Sequence, residues 1–105
     1  MPKYVFAYHG GGMPESEEEQ AATNAAWGEW MGANAASFAD PGAPTAMAKT
    51  VSADGSADGG GANPITGYSV VNADDIDAAC KIAESCPIIT SGGSVQVAET
   101  FEIDF

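Results

Sequence analysis

The first strand of this chain is apolar on both of its faces, and this feature limits the folds open to the chain more than any other. Residues 4–8 read Tyr-Val-Phe-Ala-Tyr, a run of aromatic and β-branched residues that is typical of a strand. Because strand side chains alternate, the two faces carry Tyr4, Phe6 and Tyr8 and, opposite them, Val5, Ala7 and His9. Neither face is strongly polar, so we expect both to be covered.

The composition raises the question of whether the chain folds at all. Its 105 residues carry a formal charge of −12, contain no Leu and no Arg, and include only 16 residues of Val, Ile and Phe. A low content of large aliphatic and aromatic residues with a high net charge is typical of disordered proteins. The patterning described below predicts a single folded domain over residues 1–105, with a core so thin that it needs a partner.

The charge and the cysteine content exclude several classes of protein. Lys3, Lys49 and Lys81 do not cluster in sequence, so the chain lacks the basic patch that nucleic acid or an anionic membrane requires. No apolar run approaches the roughly 20 residues of a membrane-spanning helix, and the N-terminal segment lacks a signal-peptide pattern. Cys80 and Cys86 are too few for a disulfide scaffold, so we expect a cytoplasmic protein.

The order of the predicted elements indicates the fold class. A capping box at Ser16 and Glu19 predicts a helix that runs to about Ala39. Strands are predicted over residues 45–51, 65–72 and 94–103, a Gly-rich loop over 52–64, and a second helix from an N-cap at Asp74 to Pro87. The order β-α-β-β-α-β is typical of the ferredoxin-like fold, an α+β fold with a four-stranded antiparallel sheet and both helices on one face.

The other face of that sheet would remain open, although the first strand is apolar on both sides. An exposed apolar face of this size is typical of an interaction surface, and a two-fold homodimer is its commonest cover. We therefore expect a homodimer in which two sheets pack face to face.

The predicted first helix has two kinds of face. One stripe, which we interpret as the core side, contains Thr23, Trp27, Trp30, Met31, Asn34 and Phe38. Gly28 and Gly32 fall on a neighbouring stripe of small residues, and helical glycines there predict close approach by another element.

Several short motifs resemble those of the YCII-related family of small dimeric α+β barrel proteins. The motifs occur in order along nearly the whole chain: Lys3-Tyr-Val, Trp27-Gly-Glu-Trp30, Asp40-Pro-Gly-Ala-Pro44, Lys49-Thr-Val-Ser52, Thr66-Gly-Tyr-Ser-Val70, Ala73-Asp-Asp75, Cys86-Pro87 and Gly92-Gly-Ser-Val95. Each motif is short, and the match depends on their combination.

The resemblance implies an intertwined homodimer whose sheets form a barrel, with a pocket between sheet and first helix or at the subunit seam. Some relatives are isomerase-like or dehydrohalogenase-like enzymes, for which a His–Asp acid/base pair has been proposed. That His belongs to the first helix of the relatives, whereas the single His of this chain is His9 on the first strand.

Five residues are candidates for a site. His9 is the only His of the chain and precedes a glycine loop, so it is a candidate general base or a strand-end residue. Asp40 is a candidate orienting carboxylate for His9, or a turn residue before Pro-Gly. Trp27 and Trp30 are candidate pocket walls or core residues, and Tyr68 either supplies a hydroxyl to that pocket or packs on the sheet.

No metal or cofactor is expected. A single His without a Cys/His cluster argues against zinc, and the Asp54 and Asp58 loop lacks the acidic ligand of a calcium loop at the required position. The glycines at 59–61 do not lie between a strand and a helix as a phosphate loop requires.

Two functions remain open from the sequence. The first is a cofactor-free acid/base enzyme, isomerase- or lyase-like, acting on a small ring-containing molecule, with His9 and Asp40 as its pair. The alternative is a non-catalytic dimeric module that binds or senses a small molecule. A purely structural dimerisation module, a third option, would have no concave pocket.

Overall fold

Six strands and three helices make up the part of the chain that a computed structural model describes, residues 2–12 and 14–103. In chain order they are β1 (Lys3–His9), α1 (Glu17–Ala33), a 3-10 turn (Ala35–Ser37), β2 (Phe38–Pro44), β3 (Lys49–Ser52), β4 (Gly55–Asp58), β5 (Ile65–Asn72), α2 (Ile76–Glu84), α3 (Pro87–Thr90) and β6 (Ser94–Glu99). None of the helices in these residues is long and apolar enough to cross a membrane.

The main sheet is antiparallel and has four strands in the order β2-β5-β1-β6. The prediction of an α+β protein with a four-stranded antiparallel sheet is confirmed. A second, two-stranded sheet is the hairpin β3–β4, which the sequence did not predict.

The core lies on the face of β1 that carries the aromatic residues. Tyr4, Phe6 and Tyr8 are buried there together with Trp30 of α1 and Ala79 of α2. Their rings meet edge to face, for example Tyr8 against Trp27 with centroids 5.1 Å apart. Such pairs contribute about 0.5–1.5 kcal/mol beyond the area they bury, so aromatic rings stabilise a core that has no Leu.

The first helix begins where predicted but ends earlier. The hydroxyl of Ser16 accepts a hydrogen bond from the Glu19 backbone N–H at 3.1 Å. The helix ends at Ala33 rather than near Ala39, and the Asn34 side-chain amide donates to the Trp30 carbonyl at 2.9 Å. Phe38 therefore starts β2, and from there its ring packs 5.3 Å from the ring of Trp30.

The region after the first helix shows the largest difference from the prediction. The second strand of the sheet covers residues 38–44 rather than 45–51, and Lys49–Ser52 instead pairs with Gly55–Asp58. Ser52 and Gly55–Asp58, which belong to the predicted loop 52–64, are thus strand residues. The Gly- and Asp-rich composition of that loop concealed a hairpin whose turn ends at Gly55, with a φ of 111°.

Three smaller expectations were wrong. Asp75, not Asp74, caps α2 by accepting from the Ala78 backbone N–H at 2.8 Å. The last strand ends at Glu99 instead of residue 103. A Cβ at Gly28 or Gly32 would have no neighbour within 4 Å among the described residues, so nothing in the subunit approaches that stripe.

Candidate functional site

His9 ends β1 and is buried, with 6% of its surface exposed. Its Nδ1 lies 3.1 Å from the Pro64 carbonyl oxygen and its Nε2 lies 3.2 Å from the Gln96 side-chain oxygen. Alternation along β1 places it on the sheet face opposite Tyr8. Both ring nitrogens therefore contact structural partners that join β1 to β6 and to the segment before β5.

Asp40 lies in β2 and is exposed. Its carboxylate accepts a hydrogen bond from the Gly42 backbone N–H at 2.8 Å, which is the turn-forming role that the sequence offered as the alternative. Asp40 therefore stabilises the local backbone conformation of β2, and it does not lie at the end of a helix.

The structure does not bring His9 and Asp40 together within one subunit. Asp40 pairs with Val70, and Val70 pairs with Val5, which lies four residues before His9. Two strand spacings of about 4.8 Å and, at right angles to them, four residues of about 3.4 Å separate their backbones by about 17 Å. An orienting hydrogen bond between them is impossible at that separation.

A cavity of about 590 Å³ lies between α1 and the aromatic face of the sheet. Its wall consists of Tyr8, the glycine loop 10–12, Thr23, Asn24, Trp27 and Met31 of α1, residues 41–45 and 66–68 of the sheet, and Ile88 and Ser91. The volume is within the range of small-molecule sites, about 300–1,000 Å³.

The three predicted aromatic wall residues have different positions. Trp27 lines the cavity. Trp30 is in the core instead, where its Nε1 donates to the Ile82 carbonyl and to the Ser85 hydroxyl, each at 3.1 Å. Tyr68 also lines the cavity. It pairs with Ala7, however, whose side chain lies on the sheet face opposite Tyr8, so this register does not place the Tyr68 ring beside Trp27.

The cavity wall contains no Asp, Glu, His, Lys or Arg among the residues that the structure describes. Its buried phenol belongs to Tyr8, whose hydroxyl donates to Ser69 at 2.8 Å, and Ser69 in turn donates to the Pro41 carbonyl at 2.7 Å. Burial raises the pKa of Tyr8 to about 12, so this hydroxyl stays protonated at neutral pH. The wall thus offers hydrogen-bonding groups but no acid/base pair.

Cys86 does not have the environment of a reactive thiol. Cys80 and Cys86 are free, and burial raises the pKa of Cys86 to about 11, which disfavours the thiolate. Within residues 2–12 and 14–103, no group of three or more His, Cys, Asp or Glu residues could hold a metal ion.

Sequence reasoning missed most of the cavity wall. The spacing did place Thr23 and Met31 on the stripe of Trp27, four residues before and after it, so part of the wall was recognisable as one helix face. The sequence indicated the glycine loop only as the end of a strand, residues 40–42 only as the end of a helix and Thr45 as the start of a strand, because their part in a wall depends on how the strands pair.

Comparisons with known proteins do not identify this chain. No family model matches it, and neither a curated protein nor a solved structure does.

Proposed function

We propose that this protein is a non-catalytic module that binds a small, uncharged, ring-containing molecule in the cavity between α1 and the sheet. The observation that carries the proposal is the uncharged wall of a 590 Å³ cavity in a chain whose net charge is −12. An ionic ligand would lose its hydration on entering and would meet no opposite charge there.

The shape and composition of the wall favour a ring. Trp27 and Met31 form one side on α1, and Gly67 on β5 forms part of the other. Gly67 has no side chain where Tyr8 and Ala43 lie within 3.4 Å of a Cβ position, so a larger residue would fill the cavity floor. Ligand sites in proteins are typically apolar and contain a few polar groups that orient the ligand, which matches this wall.

The acid/base enzyme is the less supported alternative. It required His9 and Asp40 to act on one ligand, and neither residue lines the cavity. A general base must come within hydrogen-bond reach of its substrate, and His9 lies on the other face of the sheet.

A matched pair of variants on α1 tests the binding proposal. N-phenyl-1-naphthylamine is an uncharged aromatic probe whose emission rises in an apolar site. Thr23→Phe would fill the cavity from its half-buried position, whereas Ala25→Phe adds the same side chain at an exposed position outside the wall.

We expect the wild-type chain and Ala25→Phe to bind the probe equally and Thr23→Phe to bind it at least about tenfold more weakly, a loss of about 1.4 kcal/mol. Far-ultraviolet circular dichroism would establish that both variants are folded. Equal affinity in the two variants would show that the probe binds elsewhere and would refute the proposal.

We further propose that the chain is a ferredoxin-like homodimer of the YCII-related kind. The strand order β2-β5-β1-β6 supports this if β3–β4 is regarded as an insertion between the second and third strands of the sheet. The face of β1 and β5 away from the core carries Val5, Ala7 and Val70, all only half-buried in a single subunit. A second sheet would cover them, and the free cysteines fit a cytoplasmic location.

Sedimentation equilibrium tests the dimer directly. We expect a mass of about twice the 10.6 kDa chain and a monomeric or unfolded Val70→Asp variant. Ala25→Phe serves as the control on the helix side and should remain dimeric. A wild-type chain that sediments as a folded monomer at micromolar concentration would refute this assembly.

A further inference from the structure

Four of the six hydroxyl groups in the cavity wall already donate a hydrogen bond within the protein. Thr45 donates to the Ile65 carbonyl, Thr66 to the carbonyls of Tyr8 and Gly10, and Ser91 to the Pro87 carbonyl. The Tyr8 hydroxyl likewise donates to Ser69, so these four hydroxyl groups can only accept a further hydrogen bond.

The backbone N–H groups of the wall divide into two classes. Gly42 donates to Asp40, Thr45 to the Thr66 carbonyl and Ser91 to the Ile88 carbonyl, and the remaining positions lie in strands or helices, with register shifts beside Ala43 and Thr66. The glycines at 10–12 lie outside any strand or helix, and their N–H groups have no acceptor among the described residues. They are exposed, so in the free protein water solvates them.

The glycine loop lies close to its neighbours as well as to the cavity. Gly10 and Gly11 have positive φ values of 71° and 84°, which other residues rarely adopt. A Cβ on Gly10 would lie 3.4 Å from Gly93, and one on Gly11 would lie 3.1 Å from Ile88. Glycine here leaves backbone, rather than side chains, at the wall.

We propose that the glycine loop 10–12 binds an acceptor oxygen of the ligand through its backbone N–H groups, so that the ligand class is an uncharged ring compound with a ketone, amide or ester carbonyl. This inference rests on the proposed function, because it assumes that the cavity is the binding site. A carbonyl fits better than a carboxylate or phosphate, since the wall has no Lys or Arg and the net charge is −12.

Other donors at the wall make the assignment testable. Asn24 lies on the exposed side of α1, and its side-chain amide has no hydrogen-bond partner among the described residues. The same holds for the hydroxyls of Thr23 and Tyr68. The experiment must therefore distinguish the loop from these side chains.

The experiment uses two probes of the same ring system. The first is 6-propionyl-2-dimethylaminonaphthalene, which carries a ketone, and the second is its 6-propyl analogue, which does not. Gly12→Pro removes one N–H from the loop, and Gly12→Ala retains it. Gly12 suits this pair because its φ is not positive and a Cβ there has nothing within 4 Å.

We expect the ketone to bind the wild-type chain more tightly than the propyl analogue does, and Gly12→Pro to reduce ketone affinity about fivefold, the effect of one ordinary hydrogen bond. Gly12→Ala, Asn24→Ala, Thr23→Val and Tyr68→Phe should preserve the ratio of the two affinities. The infrared carbonyl stretch of the bound ketone should lie below its value in an alkane, which reports the hydrogen bond even if Gly12→Pro distorts the loop.

Each contrary outcome has a distinct meaning. Equal binding of the two probes, with a carbonyl stretch as in alkane, would overturn the carbonyl assignment and leave the binding proposal intact. A loss of the ketone preference in Asn24→Ala, Thr23→Val or Tyr68→Phe would transfer the donor to that side chain and overturn the role of the loop. Failure of both probes to bind would overturn both proposals.

Discussion

β1 and the hairpin β3–β4 are both antiparallel β-structure, but they are stabilised in different ways. In β1 the aromatic residues are buried against two helices, and Phe6 has no exposed surface. In the hairpin all eight strand residues are exposed. Burial of apolar area, about 25 cal/mol per Å², stabilises the first strand, whereas the hairpin depends on local bonds.

The hairpin has few such bonds. Within the described residues, its strands hydrogen-bond to each other and to its own ends, as when the Thr50 hydroxyl donates to the Gly59 carbonyl at 2.8 Å. Its ion pair joins Lys49 to Asp58 at 3.6 Å, with both side chains largely exposed. An isolated two-stranded ribbon is marginally stable in water, so strand geometry alone says little about what stabilises a segment.

The largest expected difference between the two regions comes from removing an apolar side chain. Phe6→Ala leaves a cavity in the core and should lower the free energy of unfolding by about 3–5 kcal/mol. Val51→Ala in the hairpin, at a side chain that is 78% exposed, should change it by less than about 0.5 kcal/mol. Urea unfolding at one protein concentration measures both, and similar losses would contradict the comparison.

Glycines with positive φ offer the next contrast. Gly42 in β2 has a φ of 75°, and a Cβ there would overlap the Tyr68 carbonyl oxygen of β5. Gly42→Ala should therefore lower the free energy of unfolding by roughly 1–3 kcal/mol or more. Gly55→Ala in the hairpin, with a φ of 111° and nothing within 4 Å, adds backbone strain of about 1 kcal/mol without overlap.

Because the strands of the hairpin pair with each other and not with the main sheet, we expect the hairpin to open separately, so that most of the Gly55→Ala strain appears as faster amide hydrogen exchange in residues 49–58. Global unfolding in urea should change little in that variant. An equal global loss in the two glycine variants would show that the hairpin unfolds together with the core.

A pH dependence should also separate the regions. The pKa of Tyr8 is raised by burial from 10.0 to about 12, so its neutral form stabilises the folded state. That contribution is complete below pH 10 and is lost as the pH rises toward 12. Tyr8→Phe should make the fall in stability over this range shallower, while Val51→Ala keeps the wild-type slope.

Urea midpoints at several values of pH between 9 and 12 would measure the effect. Cys86, whose pKa is raised to about 11, contributes separately and remains present in both variants. An unchanged slope in Tyr8→Phe would show that the phenol is not buried in solution.

The smallest effect should come from the hairpin ion pair. Lys49→Ala removes the contact with Asp58, and exposed pairs contribute about 0–1 kcal/mol. A double-mutant cycle with Asp58→Ala isolates the coupling, which we expect to be below about 0.5 kcal/mol and to decrease with salt. A coupling above 1 kcal/mol would require that the hairpin is packed against another surface.

Sequence reasoning was successful where a local pattern had one interpretation. The apolar residues of β1 predicted a covered strand, and its aromatic face is buried, while Ser16 with Glu19 predicted the start of α1. It failed at the end of α1, because Phe38 fits the helical stripe of Trp27 and Trp30 as well as it fits a strand. Pairing with β5, which places Phe38 opposite Val71, decided between them.

The candidate site was less predictable than the fold. Trp27 lines the cavity, but the proposed His9–Asp40 pair depended on the register of three strands, which neither residue type nor spacing reveals. Because side chains alternate along a strand, the neighbours Tyr8 and His9 lie on opposite faces of the sheet.

The sequence by itself determined the α+β class, the buried aromatic face of β1 and the two main helices. These follow from periodicity and capping, which act over a few neighbouring residues. Only the tertiary structure decided that residues 38–44 join the sheet, that residues 49–58 form an exposed hairpin, and that glycines, Trp27 and Met31 surround a cavity without His9 or Asp40. The place of residues 38–44 depends on pairing with β5, more than 20 residues away in sequence, where packing outweighs local preference. The hairpin pairs residues that are close in sequence, but its Gly- and Asp-rich composition is typical of a loop, so residue type alone did not reveal its strands.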